Sequence, residues 1–425
     1  MLTIYVNILT VLFLGCLSIN NNYKFVGYIN GISGVIDKDL LSSFGVPGYS
    51  DNHGYNVLIL SFWLDSIKTG SFTVERWMNI QNYLNDNIKY ELTNKMNPTG
   101  RDIRLSIKNI YKQHGILLLI SAFGATDHPI RDGVPSWNFV DKHANDTAIL
   151  LAKFTKDYNF DGIDVDWEES STMTDHFSLA EDWLIKLTVK LRELLPYNQG
   201  YIITHAPQAP YFMGQIKYPR GGYLKVVKDA EHLIDWFNIQ FYNQGSSEYN
   251  TYWTLYIHSN GWASNTAIKQ MIDGANDLLI KVSMHKIVVG KVATQADAFN
   301  TGYINKNEFL SILTNAKNTG YAGIGGIMIW QFMSDQLIGF DMINTVKTIF
   351  PGITQSGTYS PTININNNII PSQKPTQIQV ATPPPGIFDT NSNSNPSSNS
   401  ISISHHVNVY FILFSLIHII VVYIL

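Results

Sequence analysis

Four acidic residues fall close together in one apolar stretch, residues 160–170, and their types and spacing suggest chemistry. They are Asp161, Asp164, Asp166 and Glu168. Alternate residues of a strand share a face, so the last three carboxylates would lie together, with successive groups about 6–7 Å apart. Carboxylates this close cannot all ionise cheaply, because burial and mutual repulsion raise the pKa of at least one. A carboxylic acid with a raised pKa can donate a proton at mild pH, which predicts acid–base chemistry.

The residues between these acids bear on whether the stretch is a site or a solvated edge. Ile163, Val165 and Trp167 alternate with the acids and would point the other way, toward a packed layer. A solvated acidic edge or a calcium site is the alternative interpretation. Apolar flanks are untypical of an edge, and a cation site would not explain the strict alternation.

Eight apolar runs bounded by turns could supply the strands that position these acids. Most are nearly continuous in apolar character, which is typical of strands covered on both faces. The runs are residues 24–30, 55–63, 115–124, 160–168, 201–207, 236–243, 286–293 and 323–332.

Helical patterns separate most of these runs. Residues 143–158 precede the fourth run, 178–195 follow it and 265–282 precede the seventh, whereas no clear helix separates the first two. This alternation predicts an α/β fold, a (β/α)8 TIM barrel formed by residues 23–351 as a single catalytic domain. A doubly wound open sheet is the alternative. In a barrel, active sites lie at the carboxyl ends of the strands, where Glu168 would lie.

Composition narrows the class of protein. The chain has 425 residues, 45% of them hydrophobic, and a formal net charge of −4, which argues against nucleic-acid binding. Aromatic residues make up 12%, which suits both a large core and the stacking of sugar rings. The single cysteine, Cys16, leaves no disulfide, and a large core needs none. We expect a monomer.

Both ends of the sequence carry targeting patterns. Residues 1–18 are apolar and end in small residues, which predicts a secretory signal peptide, with an uncleaved anchor as the alternative. Residues 352–406 are rich in Asn, Ser, Thr and Pro and predict a disordered linker. Residues 407–425 predict a GPI-anchor signal, because no basic flank follows the apolar run; a membrane-spanning tail is the alternative. With the Asn145 glycosylation sequon, these patterns predict a cell-surface or extracellular glycoprotein.

The acidic motif, Asp161-x-x-Asp164-x-Asp166-x-Glu168, resembles the DxxDxDxE signature of family 18 glycoside hydrolases, the chitinases. The resemblance extends over nearly the whole globular region and is to the plant and fungal class III type. Residues 121–125, 206–211, 238–243 and 325–332 resemble the family's third, fifth, sixth and eighth strands. One departure concerns the third loop, where Phe123 and Ala125 flank a single glycine and the family usually has two adjacent glycines.

The resemblance implies a retaining, substrate-assisted mechanism, in which the 2-acetamido group of the substrate is the nucleophile. It implies that Glu168 protonates the leaving oxygen and then activates water. Asp166 would orient the acetamide N–H, and Asp164 would share a proton with Asp166. Tyr242 would donate its hydroxyl to the acetamide carbonyl. Asp161 would support the turn and the strand.

Further residues are implied as substrate contacts. Trp330 would form the floor under the sugar at the cleavage site. The other expected contacts are Gln240, Asn243, Met328, Tyr28 and Phe62. Neither a metal nor a cofactor is expected.

About 30 residues separate the last two runs, enough for one helix and too few for the α+β insertion of some family members. An open groove and cleavage of internal bonds are therefore expected.

Three other functions remain compatible with the sequence. One is an endo-β-N-acetylglucosaminidase acting on N-glycans, which would share the chemistry and differ in its loops. The others are a chitin-binding lectin on the same fold and a wall-organising surface protein. The presence of Glu168 argues against the lectin, because such relatives typically lack this acid.

Overall fold

The computed structural model describes residues 23–96, 102–130, 137–175, 179–245, 247–299, 301–321 and 324–350. The predicted signal peptide (1–18), linker (352–406) and C-terminal tail (407–425) lie outside these ranges. Within them, no helix combines the length and the apolar character needed to cross a bilayer.

Eight parallel strands close into a barrel, because the first strand pairs with both the second and the last. The predicted (β/α)8 barrel is therefore confirmed. The barrel strands are β1 (Lys24–Ile29), β2 (Val57–Leu64), β3 (Leu117–Phe123), β4 (Gly162–Asp166), β5 (Ile202–His205), β6 (Trp236–Gln240), β7 (Ile287–Val292) and β8 (Gly326–Trp330). A two-residue strand, Thr69–Gly70, pairs antiparallel with the end of β2.

Helices surround this barrel. They are α1 (Asp37–Ser43), α2 (Phe72–Met78), α3 (Asp86–Met96), α4 (Ile103–Gln113), α5 (Trp137–Asp157), α6 (Ser170–Thr174), α7 (Ala180–Leu194), α8 (Tyr223–Ala230), α9 (Ile268–Asp273), α10 (Lys306–Asn318), α11 (Phe332–Leu337) and α12 (Asp341–Val346). Short 3₁₀ turns and one π-helical turn, Trp253–Ile257, connect several of these elements.

Two helical expectations differ from the structure. The pattern at 265–282 predicted one long helix, but α9 ends at Asp273 because Gly274 adopts a left-handed conformation with φ 71°. Asn276 then forms a turn, since its Oδ1 accepts from the backbone N–H groups of Leu278 and Ile280. The first connection, predicted without a clear helix, contains α1.

The strands bury their two faces in different ways. Residues of the outward face, such as Ile163, Val165 and Trp167 on and after β4, belong to the large core between the strands and the helices. A smaller apolar cluster fills the interior, with Val26, Ile59 and others below the site. That cluster also includes Tyr28 and Tyr242, so the acids of β4 lie next to it inside the barrel.

Candidate active site

The acids of β4 lie on the interior face toward the end of the strand. Asp164 pairs in register with Ser121 of β3 and Thr204 of β5, and Asp166 is the last residue of the strand. Asp164 is fully buried and Asp166 is 4% exposed, whereas Glu168 follows the strand and is partly exposed. The three carboxyls therefore run from the barrel interior to its open end.

Asp164 is held by four donors from four different strands. Its Oδ2 accepts from Tyr28 Oη at 2.8 Å and Ser121 Oγ at 2.8 Å. Its Oδ1 accepts from Thr204 Oγ1 at 2.6 Å and Asn238 Nδ2 at 3.1 Å. Burial raises the pKa of this carboxyl, and the hydrogen bonds from Thr204, Ser121, Tyr28 and Asn238 oppose that shift. Two donors on each oxygen fix its orientation.

Asp166 hydrogen-bonds to Glu168, and the sharing of a proton between Asp164 and Asp166 stays a prediction. Burial raises the pKa of Asp166 well above its usual range, and the charges of Glu168 and Asp164 add to the shift. The bond between the two carboxyls raises the pKa of Asp166 further and lowers that of Glu168. Burial therefore favours the protonated form of both carboxyls, and the two groups titrate as a coupled pair.

Side-chain amides surround the outer carboxyl. Gln208 Nε2 donates to Glu168 Oε2 at 2.8 Å, and Gln244 Nε2 donates to Gln208 Oε1 at 3.2 Å. Gln240 Nε2 lies 2.9 Å from Asp166 Oδ1 and 3.4 Å from Glu168 Oε1, so it spans the pair. Burial raises the pKa of Glu168, and the bonds from Gln208, Gln240 and Asp166 oppose this.

Two of these amides, Gln208 and Gln244, were missed by the sequence reasoning. Gln208 follows β5 much as Glu168 follows β4, and it forms a bridge with Gln240. A polar residue shortly after the end of a barrel strand is the signal that could have identified it.

Tyr242 follows β6 and is 6% exposed. Burial raises the pKa of its hydroxyl well above the usual range, and the nearby carboxylates of Asp166, Glu168 and Asp164 add to this effect. The hydroxyl therefore stays protonated and remains a hydrogen-bond donor beside the acids.

An aromatic wall borders the site. The rings of Phe62 and Trp330 stack with centroids 6.1 Å apart and planes at 24°, and both side chains are partly exposed. Gly124 permits this position of Phe62, because a Cβ on Gly124 would come within 2.9 Å of the Phe62 ring. The ring of Tyr28 lies 5.8 Å from that of Trp330, on its buried side. The Ser61–Phe62 and Trp330–Gln331 peptide bonds are cis.

The remaining predicted contacts occupy different environments. Tyr28 and Met328 are each only 1% exposed, so they offer almost no surface to a substrate. Tyr28 binds Asp164, and Met328 fills the space in front of Gly290, where a Cβ would meet its Cε at 2.4 Å. Asn243 is partly exposed, with φ 59°, and its N–H donates to Thr301 O at 2.7 Å.

Asp161 lies just before β4, at the opposite end of that strand from Glu168. Its Oδ2 accepts from the backbone N–H of Leu118 at 2.7 Å and from Lys108 Nζ. These contacts join β4 to its neighbour β3 and to α4. The side chain supports the strand from outside the acid cluster.

Asn145 lies in the middle of α5 and is partly buried. The Thr147 hydroxyl of the same sequon is buried and donates to Asp65 Oδ1 at 3.2 Å. Glycosylation at this position stays a prediction. No cluster of His, Cys, Asp and Glu suited to a metal ion occurs in the part of the chain that the structure describes.

The sequence of this chain is similar to those of named proteins. Two named relatives are Endochitinase 3 of Metarhizium robertsii, 26% identical over 239 residues, and Chitinase Chi52 of Paenibacillus xylanexedens, 25% identical over 242 residues. These alignments cover 55% and 49% of this chain and 64% and 45% of the relatives, so the chain matches less than two thirds of either protein.

Solved structures share the fold. A GH18 chitinase from Pseudoalteromonas aurantia is 25% identical, with a TM-score of 0.52 over 77% of this chain and 99% of its own. A GH18 chitinase from Chromobacterium violaceum is 17% identical, with a TM-score of 0.57 over 78% and 84%, which shows likeness of fold alone. The profile of the family described as Glycosyl hydrolases family 18 matches residues 25–335. With its acid pair at the carboxyl end of a closed barrel, this chain belongs to glycosyl hydrolases family 18.

Proposed function

We propose that this protein is a chitinase that hydrolyses internal β-1,4 bonds between N-acetylglucosamine units. The observation that carries the proposal is the Asp166–Glu168 carboxyl pair at the open end of the barrel, where burial raises the pKa of both groups. The aromatic wall of Phe62 and Trp330 supports a sugar substrate, because flat apolar rings stack on pyranose faces. The names of the relatives, an endochitinase and a chitinase, agree with this substrate.

The nucleophile would come from the substrate. A retaining enzyme of the ordinary kind needs a second carboxylate about 5–5.5 Å from the acid, across the sugar. Asp297, after β7, influences the pKa of Tyr242, but its Oδ1 accepts from Ser334 and its Oδ2 from Thr294. This engagement argues against a nucleophilic role. The 2-acetamido carbonyl oxygen would attack the anomeric carbon, giving an oxazolinium that water opens with retention.

The proton would move along the existing carboxyl–carboxyl hydrogen bond. An acetamide N–H that binds Asp166 needs an acceptor, so it favours the ionised form of this group and drives the proton to Glu168. Glu168 then protonates the leaving oxygen and, once ionised, removes a proton from the attacking water. Tyr242 would donate its hydroxyl to the acetamide carbonyl and so hold that oxygen in position to attack the anomeric carbon. The charge of Asp164 would raise the pKa of Asp166 and so favour the protonated form of Asp166 before substrate binds.

Binding would involve the side chains around the pair, of which Trp330 and Asn243 are partly exposed. Trp330 would lie under the sugar at the cleavage site, with Gln240 and Asn243 beside it. Cleavage of internal bonds is supported by the connection between β7 and β8, which contains one α-helix, α10, in its described part (293–299, 301–321 and 324–325). A connection of this size would leave the groove open, so a polymer could cross it without threading an end.

The decisive experiment is hydrolysis of a chitin tetramer by residues 23–351, beside Glu168→Gln and the control Glu193→Gln. Glu193 is a surface glutamate that pairs with Lys190. We expect Glu168→Gln to lower kcat by about 10²–10⁴-fold, because that is the usual contribution of a general acid–base. Glu193→Gln should keep the wild-type rate. Binding of the tetramer without cleavage by the wild type would instead indicate a lectin.

Product analysis separates the remaining alternatives. Early products of mixed length are expected from a chitin polymer, whereas one disaccharide from the start would contradict internal cleavage. Newly formed ends should retain the β configuration by NMR, and inversion would contradict the acetamide nucleophile. Release of glycans from a glycoprotein, without action on the tetramer, would identify an endo-β-N-acetylglucosaminidase.

A further inference from the structure

Lys291 is a charged residue on the outward face of β7, where burial favours apolar side chains. It is 1% exposed. Its neighbours on that face, Ile287 and Val289, are fully buried in the core between strands and helices, whereas Val288 and Val292 face the barrel interior. An ammonium group in such surroundings is costly unless all of its N–H groups are bonded. Burial accordingly lowers the pKa of Lys291 to about 7.

The ammonium group donates to three backbone carbonyls on two different loops. Nζ lies 2.7 Å from Phe241 O and 2.9 Å from Tyr249 O, both after β6, and 3.4 Å from Gly302 O, after β7. Three donors thus meet three acceptors. Phe241 immediately precedes Tyr242, the residue that we propose touches the acetamide group.

The second loop lies directly against the backbone of Tyr242. A Cβ on Gly302 would come within 2.6 Å of the Tyr242 Cα, so the two segments are in close contact. Thr301, beside Gly302, accepts from the Asn243 N–H through its carbonyl at 2.7 Å and from the Gly245 N–H through its hydroxyl at 3.0 Å. The main chain that follows Tyr242 is therefore connected to a loop that Lys291 also binds, and the carbonyl that precedes Tyr242 is bonded to Lys291 itself.

The conformation of this loop needs such support. Asn243 and Tyr249 have φ values of 59° and 60°, in the left-handed region that costs energy for residues with a Cβ. The carbonyls bonded to Lys291 come from Tyr249 itself and from Phe241, two residues before Asn243. The lysine thus bonds the backbone at both ends of the strained segment.

We propose that Lys291 is a positioning residue for the reaction, which holds the hydroxyl of Tyr242 at the acetamide site by joining the loops after β6 and β7. It acts on the substrate through Tyr242 and makes no contact with the substrate itself. The inference rests on the proposed function for its catalytic consequence. Its structural content, the connection of the two loops, can be measured separately.

The test compares Lys291→Met with the control Lys286→Met, each made in the wild type and in Tyr242→Phe. Methionine keeps the length of the side chain and removes the donors. Lys286 precedes β7 and donates to the carbonyls of Glu231 and Ile234, away from the site. It therefore matches Lys291 in chemistry and differs from it in position.

We expect Lys291→Met to lower kcat on the chitin tetramer by about 10- to 100-fold with KM within about threefold, because small misplacements of a reacting group carry costs of this size. In the Tyr242→Phe background, the same change should lower kcat by less than about threefold, since the hydroxyl is already absent. Lys286→Met should leave kcat unchanged in both. Equal losses from Lys291→Met in the two backgrounds would overturn the proposal.

Hydrogen exchange supplies a readout that does not depend on activity. In Lys291→Met, backbone exchange should accelerate in residues 241–249 and 301–303 relative to β4 and β5, and uniform acceleration would overturn the proposal. If Lys291→Met does not fold, Lys291→Gln retains two donors and should give smaller effects with the same pattern. A wild type that cuts no chitin would refute the proposed function, and exchange would still decide whether Lys291 joins the loops.

Discussion

At the scale of single residues, the protonation of the acid pair is set by amide donors as well as by burial. Gln208 and Gln240 donate to Glu168, and each bond favours the ionised form of this carboxyl. Burial acts in the opposite direction and dominates, so the pKa of Glu168 stays above its usual value. The pH range of activity therefore depends on groups that never exchange a proton.

Removal of Gln208 should move the alkaline limb of the activity profile to higher pH. The amide bond lowers the pKa of Glu168, so Gln208→Leu raises it, and the acid remains protonated to a higher pH. The profile of kcat/KM against pH measures this, because it reports the free enzyme. Gln215→Leu, at an exposed glutamine, is the control. An alkaline limb that stays fixed or moves to lower pH would contradict the assignment.

At the scale of the elements, β3 ends in a left-handed backbone conformation that is typical of glycine, but the residue there is a phenylalanine. Phe123 has φ 81° and is fully buried. Its ring packs edge-on against Trp63 and Trp183, with centroids 6.2 and 5.7 Å away. The sequence departs from the family pattern here, and the burial of the ring offsets the strain. Gly124 can then follow with φ 75° under Phe62.

This arrangement predicts an unusual order of stability for two substitutions at Phe123. Phe123→Ala should cost about 3–5 kcal/mol of unfolding free energy, because it opens a cavity. Phe123→Gly should cost about 1 kcal/mol less, since glycine relieves the left-handed strain, whereas glycine normally destabilises relative to alanine. Urea denaturation of the two variants measures the difference. A glycine variant less stable than the alanine variant would contradict the strain argument.

At the scale of the whole molecule, the barrel closes where β1 meets β8. Gly326 begins β8 with φ 148°, in register with Lys24. A Cβ at Gly326 would lie 2.0 Å from the Lys24 carbonyl oxygen, so the two strands could not keep their spacing. This contact is between backbone atoms, which cannot rotate away as a side chain would.

Because the barrel closes at Gly326, we expect one added methyl group at this position to lower the stability of the protein strongly. Gly326→Ala should lower the unfolding free energy by at least about 3 kcal/mol, because a backbone clash is added to the strain of a positive φ. Gly339→Ala is the matched control, with φ 73° and no atom within 4 Å of the new Cβ, and should cost about 1 kcal/mol. Thermal unfolding compares them, and equal losses would show that closure tolerates the methyl group.

The local sequence pattern determined where the strands of this protein lie and which face the acids take. The strands of the barrel lie within the predicted apolar runs except where β2 extends to Leu64, because a strand buried on both faces must be apolar along its length. The alternation of Asp164 and Asp166 with Ile163 and Val165 placed both acids on the interior face, since the side-chain period of a strand is two. The motif around Glu168 carried the family assignment.

Only the tertiary structure decided the neighbours of the acids. Gln208 lies 40 residues from Glu168 along the chain, and Asn238 lies 74 residues from Asp164. Their contacts exist because the ends of separate parallel strands meet at one rim of the barrel. The pairing of Asp166 with Glu168, and the three carbonyls around Lys291, likewise depend on where loops of different strands meet. Periodicity fixes which face a residue takes, but only closure of the barrel fixes which residues face each other.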